Sequence, residues 1–248
     1  MNPFRQGVKN MMSAVLPRER WLTRGPDTAT GIALTFDDGP HPEHTPRLLD
    51  ELARFQIRAT FFVVGQAVAC FPHLAKRIIA EGHTLGCHTY THSEPAETSA
   101  RTLMDEVVRS LALIEDLTSQ RVTLFRPPKG KLSLAKTLGL WKLQQTIVLW
   151  NCDPRDYRAD PLQGIQPWGL EYRPELGDIL LMHDTHPHCI EAIEPIVQLA
   201  ADHALGDFQT IDDWLTVNKR TARPQRNETI LETTSAGQVQ IAKQGYQE

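Results

Sequence analysis

The stretch Gly31-Ile32-Ala33-Leu34-Thr35-Phe36-Asp37-Asp38-Gly39-Pro40 decides the reading of this chain. Gly31 to Phe36 is almost wholly apolar or β-branched, which predicts a buried strand. It runs directly into two carboxylates and a turn-forming glycine. An Asp-Gly pair is common in surface turns, because aspartate bonds to its own backbone and glycine accepts left-handed dihedrals. A buried strand leading straight into the pair argues against a surface turn. Two neighbouring carboxylates at a strand end permit a division of labour. One can hold a cation while the other takes a proton from an attacking water.

Outward from this strand, β-like and helix-like segments alternate. Thr45 is expected to cap a helix that has Pro46 in its first turn and Leu48, Leu49 and Leu52 on its apolar face. Arg58 to Val64 reads as a second strand. A helix from about Pro72 is expected to stop at Gly82. Thr84 to Cys87 is a short third strand, and Leu103, Val107, Leu111 and Ile114 recur at helical spacing. Further strands are predicted at Val122 to Phe125, Thr146 to Trp150 and Asp178 to Met182, with a helix around Ser133 to Trp141. A last helix from about Ile190 to Ala201 leads to a strand near Phe208 to Ile211. Such alternation implies an α/β fold with a parallel sheet. About seven parallel strands suggest a distorted (β/α) barrel, although an open doubly wound sheet fits the alternation too.

Three regions are expected: an N-terminal extension over 1–27, a catalytic domain over 28–216 and a flexible C-terminal tail over 217–248. Phe4, Val8, Met11, Met12 and Val15 share one helical stripe, read as a helix packed on the domain.

The ionisable residues gather at one edge. Asp37 and Asp38 follow the first strand, His88 the third and Arg126 the fourth. Asp153 and Asp156 follow Thr146 to Trp150, and His183 ends the strand after them. The C-terminal ends of parallel strands are where α/β folds build active sites. His88-Thr89-Tyr90-Thr91-His92 is expected to place two imidazoles one helical turn apart, facing one ion. A lone pair of this kind is most often two structural histidines. With Asp37 or Asp38 beside it, a two-histidine, one-carboxylate metal face is the better account. In Arg126-Pro127-Pro128-Lys129-Gly130 neither proline has an N–H, so the first rigid backbone donor is Lys129, suited to an oxyanion. His183 can protonate a leaving group.

The totals bound the function. The chain has 248 residues, 41% of them hydrophobic and 23% charged, which suits one sizeable core. With a formal net charge of -4 it has no basic field to attract nucleic acid. Its four cysteines, Cys70, Cys87, Cys152 and Cys189, form no Cys-x-x-Cys pair. No apolar run is long enough to span a bilayer, and Met11 to Leu16 is too short for a signal peptide. A cytoplasmic location is expected, with membrane-surface association as the alternative. Nothing in the sequence bears on oligomeric state.

At these residues the chain resembles the polysaccharide deacetylases, carbohydrate esterases of the chitin and peptidoglycan deacetylase type. The resemblance runs from about Thr28 to Ile211. It rests on TFDDGP (Thr35 to Pro40), ATFFVVG (Ala59 to Gly65), HTYTH (His88 to His92), RPPKG (Arg126 to Gly130), WNCDPRDY (Trp150 to Tyr157) and LLMHD (Leu180 to Asp184). It implies a divalent metal, usually zinc, on Asp38, His88 and His92, and Asp37 as the base, oriented by Arg126. It implies His183 as the acid, tuned by Asp156, and an acetyl-methyl pocket from Leu181 and Tyr157. Two positions depart from the family pattern. Lys129 stands where an aromatic is usual, and Tyr157 where tryptophan is frequent. The expected activity is removal of N-acetyl groups from an amino sugar in an acetylated glycan. The rivals are an O-acetyl esterase on a glycan such as xylan and, from another class, an inactive carbohydrate-binding module. A metal-independent amide hydrolase on the same fold would lack the histidine pair that this chain keeps.

Overall fold

Seven short strands form one parallel sheet in the computed structural model, which describes residues 20–158 and 166–221. They are β1 (Trp21–Leu22), β2 (Ala33–Asp37), β3 (Thr60–Val63), β4 (Thr84–Cys87), β5 (Leu124–Phe125), β6 (Thr146–Val148) and β7 (Ile179–His183). Their spatial order is β1-β6-β5-β4-β3-β2-β7. From β2 to β6 each strand lies beside the next in sequence, so the order never reverses as it does in a doubly wound sheet. Beyond β6, Cys152 bridges Leu180 of β7. The Leu181 N–H donates to the Cys152 carbonyl at 2.9 Å. This contact joins the run beyond β6 to the β7 edge and curls the sheet into the expected distorted barrel.

Side-chain alternation sorts the strands into two cores. Leu34, Phe36, Phe61, Val63, Leu180 and Met182 face outward into the main hydrophobic cluster. The helices that cover it include α1 (His44–Arg54), α2 (Gly65–Cys70), α3 (Pro72–Ala80), α4 (Ala100–Thr118) and α5 (Leu134–Lys142). Ala33, Phe62, Leu124, Val148 and Ile179 face inward and form a second cluster. Gly86 pairs with Phe62 across β3 and β4. A Cβ there would meet the Phe62 ring at 2.5 Å, so the glycine makes room for that ring inside the barrel.

Several boundaries differ from expectation. Trp21–Leu22, ahead of the expected start near Thr28, pairs with β6. The strand expected at Phe208 to Ile211 reduces to one bridge, Ile32 to Phe208, and Ile211 begins helix α9 (Ile211–Thr221). The cause is a reciprocal cap. The Thr210 N–H donates to Asp213 Oδ2 at 2.9 Å and the Asp213 N–H to Thr210 Oγ1 at 3.2 Å, an arrangement that starts helices. Buried Trp214 and Leu215 of α9 complete the inner cluster. The expected tail therefore begins inside a helix, and its remainder from 222 onward lies outside the described residues, as does the stripe from Phe4 to Val15. A helix α6 (Gln166–Glu171) precedes β7. The single helix expected over Ile190 to Ala201 is split into α7 (His188–Glu191) and α8 (Ile193–Asp202). Pro195 has no N–H to give the Glu191 carbonyl, which breaks the ladder there. No helix among the described residues is long and apolar enough to cross a membrane.

Candidate active site

Asp37 and His183 are the last residues of β2 and β7 and stand opposite each other in register. They share the inward face with Thr35 and Leu181, which are also paired. The barrel rim thus brings together residues separated by most of the chain.

Arg126 follows β5 and is wholly buried. Its Nη1 donates to Asp37 Oδ1 and to Thr35 Oγ1, each at 2.7 Å. Nε and Nη2 reach the carbonyls of Val148 and Leu149 at 3.2 Å. The guanidinium also lies 4.1 Å from the Phe62 ring centroid. A surface arginine on a rigid loop is excluded. Four of the five N–H donors of this fork are engaged, which holds Asp37 in one orientation.

Asp38, His88 and His92 offer one ligand atom each within 4.8 Å of one another. Asp38 Oδ1 lies 3.4 Å from Nε2 of both histidines. It is buried and has no hydrogen-bond partner, an orphaned anionic oxygen of the kind a cation satisfies. His88 Nδ1 lies 2.7 Å from the Arg126 carbonyl. It must donate there, which leaves the Nε2 lone pair for an ion. Burial alone would raise the Asp38 carboxyl, but the close approach of His88, then His92 and His183, outweighs it and lowers it to about 2. His92 moves down, through burial and then the His88 charge. The donor set of two imidazoles and one carboxylate suits a divalent ion with positions left open.

The two histidines do not sit on a helix as expected. His88 to His92 is a loop, in which Thr89 has φ 68° and His92 φ 54°. Left-handed residues curl the backbone back on itself and bring the rings to 4.9 Å between centroids. Asp38 is left-handed as well, at φ 78°. Each such residue costs about 1–2 kcal/mol, and strain of this sort gathers where function requires an unusual geometry.

On the opposite side, His183 Nδ1 lies 2.8 Å from Asp156 Oδ1, and its backbone N–H donates to Asp156 Oδ2 at 2.6 Å. Burial works against a charged His183, but the Asp156 hydrogen bond and charge prevail, aided by Asp37 and Asp38, and raise it to about 9. Tyr157 packs edge-on to His183 at 5.2 Å between centroids, and Leu181 is buried beneath. Asp153 is spent locally, accepting the Arg155 N–H at 2.9 Å. Lys129 is left-handed, at φ 55°. Its side chain pairs with Glu94, while the Gly130 and Lys131 N–H groups turn back to Pro127 and Pro128 and that of Lys129 takes no backbone acceptor.

Two features had no signal in the sequence. Thr45 does not cap α1, whose N-cap is Glu43 without a side-chain bond. Its hydroxyl instead accepts the His41 N–H at 2.7 Å and donates to Asp184 Oδ2 at 2.5 Å. The Asp184 carboxylate is buried against Gly39, where a Cβ would approach both its oxygens to 2.1 Å. Only glycine fits there. Glu106 of α4 binds the His88 to His92 loop, and one acid on an amphipathic helix gives no hint of that.

Comparison with known proteins agrees with this geometry. The sequence profile described as polysaccharide deacetylase matches residues 24–146. A peptidoglycan-N-acetylglucosamine deacetylase of Bacillus cereus is 35% identical over 161 residues, 64% of this chain and 75% of that protein. The chain belongs to the polysaccharide deacetylase family. A second relative of this deacetylase is a chitooligosaccharide deacetylase of Bradyrhizobium, 36% identical over 63% of this chain and 71% of the relative. Among solved structures, the Bc1960 peptidoglycan N-acetylglucosamine deacetylase superposes with a TM-score of 0.72 at 29% identity, over 78% of this chain and 92% of that one. The seven-stranded curled barrel is therefore the family fold. The profile match ends at Thr146, so the pairing of Asp156 with His183 is an observation of this chain's own structure.

Proposed function

We propose that this deacetylase hydrolyses the N-acetyl group of an amino-sugar residue in an acetylated glycan, with a divalent ion, zinc by preference, on Asp38, His88 and His92. The observation that carries the reading is a convergence on one rim. An orphaned carboxylate oxygen faces two imidazole Nε2 atoms, with a clamped carboxylate on one flank and a charged histidine on the other. Names of relatives that act on peptidoglycan and chitooligosaccharides support the substrate class. When bound, a divalent ion supplies Lewis-acid polarisation and acidifies water.

The chain's own residues do the rest. Asp37 Oδ1 is held by Arg126, which leaves Oδ2 to take the proton of the attacking water. The Lys129 N–H donates to the oxyanion that forms on the acetyl carbon. Leu181 and Tyr157 enclose the acetyl methyl. His183 has Nδ1 engaged by Asp156, so Nε2 carries the proton to the departing nitrogen. An amine leaves poorly unless protonated, and a histidine raised to about 9 stays charged at neutral pH. This favours an N-acetyl substrate over an O-acetyl one, whose oxygen leaves with less help.

The test is product analysis on N-acetylglucosamine oligomers, peptidoglycan fragments and O-acetylated xylo-oligosaccharides, with and without chelator. Acetate and free amine should appear in equal amounts from the first two and vanish with chelator. Acetate from the O-acetyl substrate alone, or release indifferent to chelator, would overturn the reading.

A further inference from the structure

The loop that carries both histidines is built by helix α4, which touches neither imidazole among the contacts described. Glu106 accepts four hydrogen bonds from this loop. The Tyr90 and Thr91 N–H groups reach Oε2 at 3.3 and 3.2 Å. The Thr91 and Ser93 hydroxyls reach Oε1 at 2.6 and 3.3 Å. Three residues along the helix, the Arg109 guanidinium lies 3.5 Å from the Tyr90 ring centroid. Ser110 Oγ donates to the Thr89 carbonyl at 2.8 Å, and that carbonyl also receives the Gly65 N–H at 3.0 Å.

These bonds answer a specific need. A loop with left-handed residues at Thr89 and His92 is strained, and its N–H groups cannot donate to carbonyls four residues back as they would in a helix. Tyr90 and Thr91 lie between the two strained positions. Their N–H groups point the same way, and one carboxylate oxygen takes both. The other oxygen ties the hydroxyls on either side of His92. The curl that sends the His92 ring back toward His88 therefore depends on one anion outside the ligand set. An apolar or shorter side chain at 106 would leave two N–H groups without an acceptor and free the loop to relax.

We propose that Glu106 is the positioning residue of the metal site: through Tyr90, Thr91 and Ser93 it fixes the His92 imidazole against His88 and Asp38 and so sets metal affinity. The inference rests on the metal reading above. Partners that orient ligands from behind typically account for about 10–100-fold in metal affinity. In Glu106→Gln the amide oxygen can still accept the two N–H groups, and its NH2 can donate to hydroxyls that turn to accept.

The experiment measures Zn2+ binding to the full chain by competition with a chromophoric chelator, beside thermal unfolding of the metal-free protein. Glu106→Ala should bind zinc about 10–100-fold more weakly, with kcat recovering at saturating zinc and KM for the glycan little changed. Glu106→Gln should recover most of the affinity. The double variant Thr91→Val with Ser93→Ala keeps Glu106 and should show a smaller loss in the same direction, which covers the case of an Ala variant that fails to fold. Wild-type protein that bound no zinc would remove the metal reading itself. Zinc affinity equal to wild type in Glu106→Ala, or a loss matched by an equal collapse of the metal-free fold in all three variants, would overturn the positioning role alone.

Discussion

Asp156 binds His183 twice, through the ring nitrogen at 2.8 Å and through the backbone N–H at 2.6 Å. One carboxylate thus fixes where the histidine sits, how its ring is turned and which nitrogen keeps the exposed proton. Arg126 does the same for Asp37 on the far side of the rim, at 2.7 Å. The proposed base and the proposed acid are thus each held in place by a buried partner of opposite charge.

Replacing Asp156 with Asn removes the charge that raises His183. The alkaline limb of kcat, expected near pH 9 from the raised histidine, should move toward about 6.5, the ordinary histidine value. The sign for stability follows. A raised histidine contributes stability that is fully present below about 6.5 and is lost as pH rises through about 9. A pH–rate profile whose alkaline limb stayed where it was would show that His183 is not the acid.

Asp37→Asn should leave zinc affinity within a few-fold of wild type, because Asp38, His88 and His92 are the candidate ligand set. Turnover should fall by about 10²–10⁴, the usual contribution of a general base. Zinc titration and acetate release measured on one preparation separate the two. Lost zinc binding would make Asp37 a ligand.

Arg126→Met strands the buried Asp37 carboxylate and two carbonyls. Breaking a buried pair by removing one partner costs about 3–5 kcal/mol, readable as a lower denaturation midpoint at unchanged slope. Arg126→Lys keeps the charge but cannot reach Thr35, Asp37, Val148 and Leu149 together, so it should fold better than the Met variant yet remain catalytically impaired. A lysine variant with wild-type kcat would refute the orienting role.

Asp184 has no catalytic part here, but it should shape the pH dependence of stability. Burial, then the Asp38 charge, raises its carboxyl to about 7 against the Thr45 hydrogen bond. In the unfolded chain it ionises near 3.9, about the ordinary aspartate value. The folded state therefore holds a proton that the unfolded state has released across that interval, and stability falls as pH rises from about 4 to 7. Asp184→Asn should flatten this slope in chelator-treated protein. Unfolding free energies at several pH values, wild type against variant, would expose an unchanged slope.

Local sequence determined the strand-and-helix alternation, the gathering of ionisable groups at strand ends and the family, because each depends on residues within a few positions of one another. The nearly unbroken apolar run before Asp37 reads directly as a strand, and every residue from Ala33 to Asp37 is buried, while a proline pair such as Pro127 and Pro128 dictates its own backbone. Tertiary structure alone decided what depends on distant partners. Cys152 closing on Leu180, α9 plugging the barrel with Trp214, Thr45 turned from a cap toward Asp184, and Glu106 curling the histidine loop all join segments far apart in sequence. A histidine pair spaced like a helical turn became a loop for the same reason. Spacing sets only which geometries are within reach, and the neighbours packed against a segment select among them by which polar groups they can satisfy.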